Sequence, residues 1–141
     1  MPGAYTIDVE RSIVLSRGWE TLTFREILAH GNAVAADPRF RPHFRQFIDY
    51  RRVTDLAVTA DEMRALAKAS PFGKGARRAW VVNTIAEFGM ARMYQTLRNE
   101  SGDELEIFRD VPSALLWLGL ADAGAELMAA LDAAPALSAP R

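Results

Sequence analysis

The chain has 141 residues with 17 basic and 18 acidic side chains, so its formal net charge at pH 7 is −1. Half of the residues are apolar and a quarter are charged, which is typical of one soluble domain with its own hydrophobic core. There are no cysteines, which excludes disulfides, a thiol nucleophile and cysteine-based metal sites. The nearly balanced charge argues against a general attraction to nucleic acid or to an anionic membrane.

The strands are recognisable as short β-rich runs. Residues 5–9 and 12–16 predict an opening hairpin, and Gly18 is expected to end its second strand. Three further strands are predicted at residues 45–50, 79–82 and 105–108. Residues 51–58 are expected to form a linker between the third strand and the second helix.

The helices are marked by their N-terminal caps. Capping boxes, in which a threonine is followed three residues later by glutamate, begin at Thr23, Thr59 and Thr84. Asp110 with Pro112 in the first turn predicts the start of another helix, which carries the apolar residues 115–118. The resulting order, ββαβαβαβα, predicts an α/β fold with a five-stranded mixed sheet covered by helices. We assign the domain to residues 1–120 and an alanine-rich extension, helical or partly disordered, to residues 121–141.

This order resembles the STAS domain family, in which a hydrophobic strand ending in Asp is followed by a polar link and by Asp-Ser-Ser-Gly opening a helix. Here residues 47–50 read Phe-Ile-Asp-Tyr, and residues 57–60 read Ala-Val-Thr-Ala at the Asp-Ser-Ser-Gly position. The sequence is most similar to a bacterial branch that resembles the sporulation anti-sigma-factor antagonist (SpoIIAA-like). That similarity is carried by Asp-Pro-Arg-Phe at 37–40 and Phe-Gly-Met-Ala-Arg-Met-Tyr at 88–94.

The resemblance implies a non-enzymatic regulatory module that binds another protein through the link and the start of the second helix. Its implied partner is an anti-sigma-factor-like kinase or another signalling protein. Thr59 stands where signalling members carry the phosphorylated serine, but Ala57 and Ala60 replace the flanking acid and glycine. Thr59 with Glu62 also forms a complete capping box, so plain capping is the favoured role. The candidate phosphoacceptor or interaction residues are Thr59, Thr54, Arg51 and Arg52.

The alternative function is the binding of a small apolar, lipid-like ligand. Ala86, Met90, Met93 and Leu97 recur at helical spacing and predict the buried face of the third helix. Some relatives in this branch look similar to lipid-binding Sec14-type domains, which implies a pocket between this helix and the sheet. Its candidate lining residues are Trp80, Met90, Met93 and Tyr94. Ordinary core packing is the competing explanation for this stripe, and it is favoured.

Sequence motifs for enzymatic chemistry are lacking. The serines form no nucleophile elbow, the glycines form no phosphate loop, and His30 and His43 lack metal-ligand spacing. We therefore expect no catalytic residues, no metal and no cofactor.

The first residues lack the segments of a secretory signal, and no run approaches the roughly 18 apolar residues of a membrane helix, which predicts a cytoplasmic protein. An exposed tail carrying Trp117, Leu127 and Leu131 makes a homodimer plausible.

Overall fold

The computed structural model describes residues 2–139 and contains one five-stranded sheet with helices on both faces. The strands are β1 (Gly3–Asp8), β2 (Ile13–Thr23), β3 (Arg45–Ala57), β4 (Arg77–Val81) and β5 (Glu104–Phe108). The helices are α1 (Phe24–Ala36), α2 (Ala60–Ala69), α3 (Ile85–Leu97), α4 (Val111–Trp117) and α5 (Gly124–Ala133), with a short 3₁₀ turn at Ala121–Ala123. The strands lie in the order β1-β2-β3-β4-β5, and only β1 runs antiparallel to its neighbour. The predicted fold class is confirmed.

The two faces of the sheet are buried under different helices, because successive strand residues point to opposite sides. Leu15, Phe47 and Val81 face α4 and α5, whereas Ile48 and Trp80 face the side covered by α1, α2 and α3. The strands are therefore apolar on both faces, as expected for parallel strands enclosed by helices.

Strands β2 and β3 are longer than predicted, and together they extend beyond the rest of the sheet. The prediction that Gly18 ends the second strand is wrong, as is the prediction of a linker at 51–58. Parallel pairing continues to Thr23 and Ala57, whereas β3 last pairs with β4 at Asp49. We call residues 19–23 and 50–57 the ribbon. The ribbon packs onto the domain through Leu22 and Val53, which are buried. These isolated apolar residues form no clear alternating pattern in the sequence, so the strand was not predicted there.

The three predicted threonine caps are confirmed. In each case the threonine side chain accepts a hydrogen bond from the backbone N–H of the glutamate three residues later, and that glutamate bonds back to the cap. Thr23 is the last residue of β2, and Thr59 lies two residues beyond the end of β3. The ribbon therefore leads directly into the first turns of α1 and α2.

The segment after Leu120 contributes to the core. Leu127 and Leu131 of α5 are almost completely buried against Ile13 and Leu15 of β2, so the expected exposure of these two leucines is wrong. The chain then returns to β1, where the N–H of Leu137 donates to the carbonyl of Gly3 at 2.8 Å. The apolar residues of α5 thus pack against other residues of the same chain.

Candidate functional site

A cavity of about 70 Å³ lies between α1, α2 and the sheet, beneath the ribbon. Its wall is mostly apolar, with polar groups contributed mainly by the sheet. The apolar lining comes from Ile27, Leu28, Val34, Ile48, Leu56, Met63, Leu66 and Phe72. The polar lining comes from Ser16, His30, Gln46, Tyr50, Ser70, Arg78, Trp80 and Tyr94. We refer to this space as the cavity.

Arg78 on β4 is the charged centre of the cavity wall, and its side chain is only 5% exposed. Its Nε donates to Gln46 Oε1 at 3.0 Å. Its Nη1 donates to the Tyr94 hydroxyl at 3.0 Å and to Asp103 Oδ2 at 3.1 Å. Its plane also lies over the ring of Phe72, 4.6 Å from the centroid. These contacts hold the guanidinium in one orientation.

Asp103 is shared between two arginines. Arg98 at the end of α3 donates to both of its oxygens, from Nη2 to Oδ1 at 2.9 Å and from Nε to Oδ2 at 3.2 Å. Arg98 also donates to the carbonyls of Ala67 and Phe72, each at 2.8 Å. The buried trio of Arg78, Arg98 and Asp103 therefore carries two positive charges and one negative charge.

His30 on α1 contributes a neutral imidazole to the cavity. Its Nε2 lies 2.9 Å from the Ser16 hydroxyl, which also accepts from Gln46 Nε2 at 3.3 Å. Burial lowers the pKa of His30 to about 4, because removal from water disfavours the charged ring. At neutral pH the cavity wall thus gains hydrogen-bonding capacity from His30 but no charge.

Trp80 carries a buried donor that has no acceptor. Its Nε1 makes no hydrogen bond among residues 2–139, although the side chain is almost fully buried. The indole stacks on Tyr94 with ring centroids 5.0 Å apart, and it contacts Tyr50 at 5.8 Å. Burial raises the pKa of the Tyr50 hydroxyl above its usual value, so that hydroxyl stays protonated. The indole lines the cavity, but its Nε1 is enclosed by protein atoms.

Of the four residues proposed to line a ligand pocket, Trp80 and Tyr94 line the cavity, whereas Met90 and Met93 do not. The buried face of α3 is formed by Glu87, Ala91 and Tyr94, one position later than the predicted stripe. Glu87 accepts hydrogen bonds from the N–H groups of Asn83 and Thr84 at Oε2, whereas its buried Oε1 has no partner among residues 2–139. The cavity lies mainly under α1 and α2, and α3 contributes Tyr94 to its wall.

The candidate interaction residues lie on or beside the ribbon. Thr59, Thr54, Arg51 and Arg52 are all exposed, and no hydrogen bond or ion pair joins these four side chains to one another. Arg51 pairs with Asp49, with Nη2 2.8 Å from Oδ2. The Thr59 hydroxyl accepts from the N–H of Glu62 at 3.1 Å, as in an ordinary cap. The side chains are thus accessible to a partner without forming a preassembled cluster.

The sequence analysis missed His30, Gln46 and Arg78 as cavity residues. They come from α1, β3 and β4 and meet only through tertiary packing. The available signal was weak, because Gln46 and Arg78 each follow an arginine at the start of their strand and directly precede its apolar residues. None of the helices within residues 2–139 has the length and apolar character needed to cross a bilayer.

The mixed sheet with one antiparallel edge strand, flanked by helices on both faces, defines a SpoIIAA-like (STAS-like) α/β fold. A solved structure of an uncharacterised DUF3478-family protein from Shewanella loihica PV-4, described as SpoIIAA-like in fold, is similar with a TM-score of 0.54. The two sequences are 18% identical, and the match covers 82% of this chain and 93% of that one. No protein-family model and no curated protein matches the sequence. The structural match confirms the resemblance at the level of the fold.

Proposed function

We propose that this domain is a non-enzymatic binding module that holds a small, mainly apolar molecule in the cavity. The observation that carries the proposal is a largely apolar cavity that also contains a few polar side chains held in place by hydrogen bonds, among them Arg78 and His30. Small-molecule sites typically combine such an apolar wall with a few oriented polar groups.

The volume of the cavity supports the proposal that it holds a bound molecule. A volume of about 70 Å³ exceeds the space of one water molecule. Protein interiors contain few voids of this kind, because close packing of side chains stabilises the folded state. Leu56 of the ribbon and Leu28 of α1 are among the apolar lining residues. A molecule bound there would contact both the ribbon and α1.

A glycine in the cavity wall allows a direct test. Gly31 lies on the cavity-lining face of α1, and a side chain there would meet no atom within 4 Å. We expect Gly31→Leu to fill the cavity and to abolish ligand binding without loss of the fold. Gly89→Leu is the matched control, because Gly89 is also helical and unobstructed but does not line the cavity.

The measurement is native mass spectrometry of gently purified protein, followed by titration with 1-hexanol and 1-decanol. The wild type and Gly89→Leu are expected to carry or bind an apolar molecule, and Gly31→Leu is not. Repeatedly empty protein that binds neither alcohol would contradict the proposal.

A second proposed function is docking of a signalling protein, such as an anti-sigma-factor-like kinase, on the surface around Thr59. The supporting observation is that Thr59, Thr54, Arg51 and Arg52 are all exposed where the ribbon extends beyond the sheet. If Thr59 is a phosphoacceptor, intact-mass analysis of protein from its native host will show a phosphate adduct that Thr59→Val lacks. Absence of the adduct would leave Thr59 with its capping role alone. The same native spectra test the proposed homodimer.

A further inference from the structure

We infer that the ligand of the cavity is a carboxylate with an apolar tail, and that Arg78 binds its carboxylate. This inference rests on the proposed function of the cavity and specifies the chemical class of its ligand. It follows from three features of the wall: its charge, the unpaired Nη2 group of Arg78 and its apolar side chains.

The charge of the wall is positive. Among the described residues that line the cavity, Arg78 is the only one that is charged at neutral pH, and none of them is an aspartate or a glutamate. Glu87, a buried acid that follows β4 in the chain, does not line the cavity; its Oε2 accepts hydrogen bonds from the N–H groups of Asn83 and Thr84, and its Oε1 has no partner among residues 2–139. A neutral or cationic ligand would bring no counter-charge to Arg78.

The buried ion pairing around Arg78 is incomplete. Asp103 is the carboxylate that contacts Arg78, and Arg98 occupies both of its oxygens. The Nε and Nη1 groups of Arg78 are engaged, but Nη2 donates to no residue in the described part of the chain. Buried charges are stable when they are paired and hydrogen-bonded, and a ligand carboxylate would supply the second negative charge.

Trp80 lies two residues after Arg78 on β4, so both side chains point to the same face of the sheet. Its indole lines the cavity, but Nε1 is enclosed by protein atoms, so Arg78 is the donor to the ligand. A carboxylate combines a negative charge with acceptor oxygens, so it can take a hydrogen bond from Arg78 Nη2. A hydroxyl or an amine head group lacks this combination of charge and acceptors.

The remaining wall fits an apolar tail. Ile27 and Leu28 of α1, Leu56 of the ribbon and Leu66 of α2 line the cavity. The ligand is therefore expected to place its carboxylate over β4 and its tail between α1 and the ribbon. This arrangement matches a short- or medium-chain monocarboxylate.

The test compares head groups at constant tail length. Hexanoate and decanoate are titrated calorimetrically into the full chain beside the alcohol and the primary amine of the same length. We expect each carboxylate to bind roughly ten- to a hundredfold more tightly than its alcohol, as a charged hydrogen bond predicts. Equal binding of carboxylate and alcohol would overturn this inference while leaving the proposed function intact. Failure of all six compounds to bind would overturn both the inference and the proposed function.

Substitutions on β4 test where the head group of the ligand binds. Arg78→Gln should lower carboxylate affinity to that of the alcohol and leave alcohol affinity unchanged. Arg77→Gln is the matched control, because Arg77 is adjacent on β4 but stacks over Trp117. If Arg78→Gln does not fold, Arg78→Lys keeps the charge, and the wild-type head-group series alone still decides the inference. Unchanged carboxylate affinity in folded Arg78→Gln would overturn the assignment.

Discussion

Arg98 binds Asp103 through two parallel hydrogen bonds, with Nη2 2.9 Å from Oδ1 and Nε 3.2 Å from Oδ2. The Asp103 side chain is fully buried, and Arg98 also bonds to carbonyls at the end of α2 and in the segment that follows it. This pair therefore ties the loop between α3 and β5 to the end of α2. It also positions the carboxylate that orients Arg78.

Removing the shared carboxylate should strongly destabilise the fold. Asp103→Ala leaves two buried guanidiniums without a counter-ion, and we expect the free energy of unfolding to fall by about 3 kcal/mol or more. Glu104→Ala is the control: its pair with Arg77 is exposed, at 3.4 Å, and its loss should cost less than about 1 kcal/mol. Urea unfolding of both variants measures the difference. Similar losses of unfolding free energy in the two variants would show that the buried ion pairs of Asp103 stabilise the fold no more than the exposed pair of Glu104.

The helix cap at Thr59 can be separated from any signalling role. Thr59→Ala removes the acceptor for the Glu62 N–H and should lower the free energy of unfolding by about 1 kcal/mol. Thr59→Asp should retain most of the stability, because aspartate is also a good cap. Thr54→Ala, at an exposed strand position, should change stability by less than about 0.5 kcal/mol. Equal effects of Thr59→Ala and Thr54→Ala in urea unfolding would contradict the capping role.

His30 should make the fold sensitive to mild acid. Its pKa is about 4 in the folded protein against an ordinary 6.5, so between these values the unfolded chain binds more protons than the folded chain. Stability is therefore expected to fall as the pH drops from about 6.5 to about 4, by about 2 kcal/mol. The neighbouring Tyr5 ring, 5.6 Å away, has a raised pKa and does not titrate in this range.

The measurement is urea unfolding of wild type and His30→Asn at about pH 7 and about pH 4.5. The loss on acidification should be smaller in the variant. Asp37 contributes little between about pH 7 and about pH 4.5, because the ordinary pKa of its carboxyl, 3.8, lies below this range and hydrogen bonds from Arg39 lower it further in the folded protein. The same acid sensitivity in both proteins would show that His30 is not its source.

Two leucines test whether the segment after residue 120 belongs to the core. Leu127→Ala should cost about 2–5 kcal/mol, because Leu127 is 1% exposed among β2 and α4 side chains. Leu116→Ala should cost less than about 0.5 kcal/mol, since Leu116 is 70% exposed. Thermal and urea unfolding of both variants provide the comparison. A negligible effect of Leu127→Ala would mean that α5 is not packed in solution.

Local signals in the sequence were sufficient for the element order and the helix starts. Thr23, Thr59 and Thr84 form caps from residues three apart, so their geometry is encoded locally. The ends of β2 and β3 were not predictable in this way, because their pairing depends on a partner far along the chain. The mixed character of the sheet followed from general rules of strand connection, whereas the strand order and the register were left open.

The buried face of α3 shows why the site was harder to predict than the fold. The spacing was right, but the choice of apolar residues placed the face one position too early. Glu87 is buried with hydrogen bonds from backbone N–H groups to its Oε2 alone, and Arg98 is buried with Asp103 and two carbonyls as its partners. Such contacts arise only in the folded state, where the polar partners meet. The cavity depends on the same kind of contact, and its wall includes Trp80 and Tyr94 but not Met90 or Met93.

The two outer strands of the sheet are shielded in different ways. β1 is partly covered by the returning chain, through the Ala4–Ala136 bridge and the bond from Leu137 to Gly3. β5 carries the exposed carboxylates of Glu104 and Glu106 at the opposite edge. Both devices discourage edge-to-edge pairing with another molecule. The last residues of the described chain thus serve solubility as well as packing, and shortening the chain before Ala136 would leave β1 open to a foreign strand.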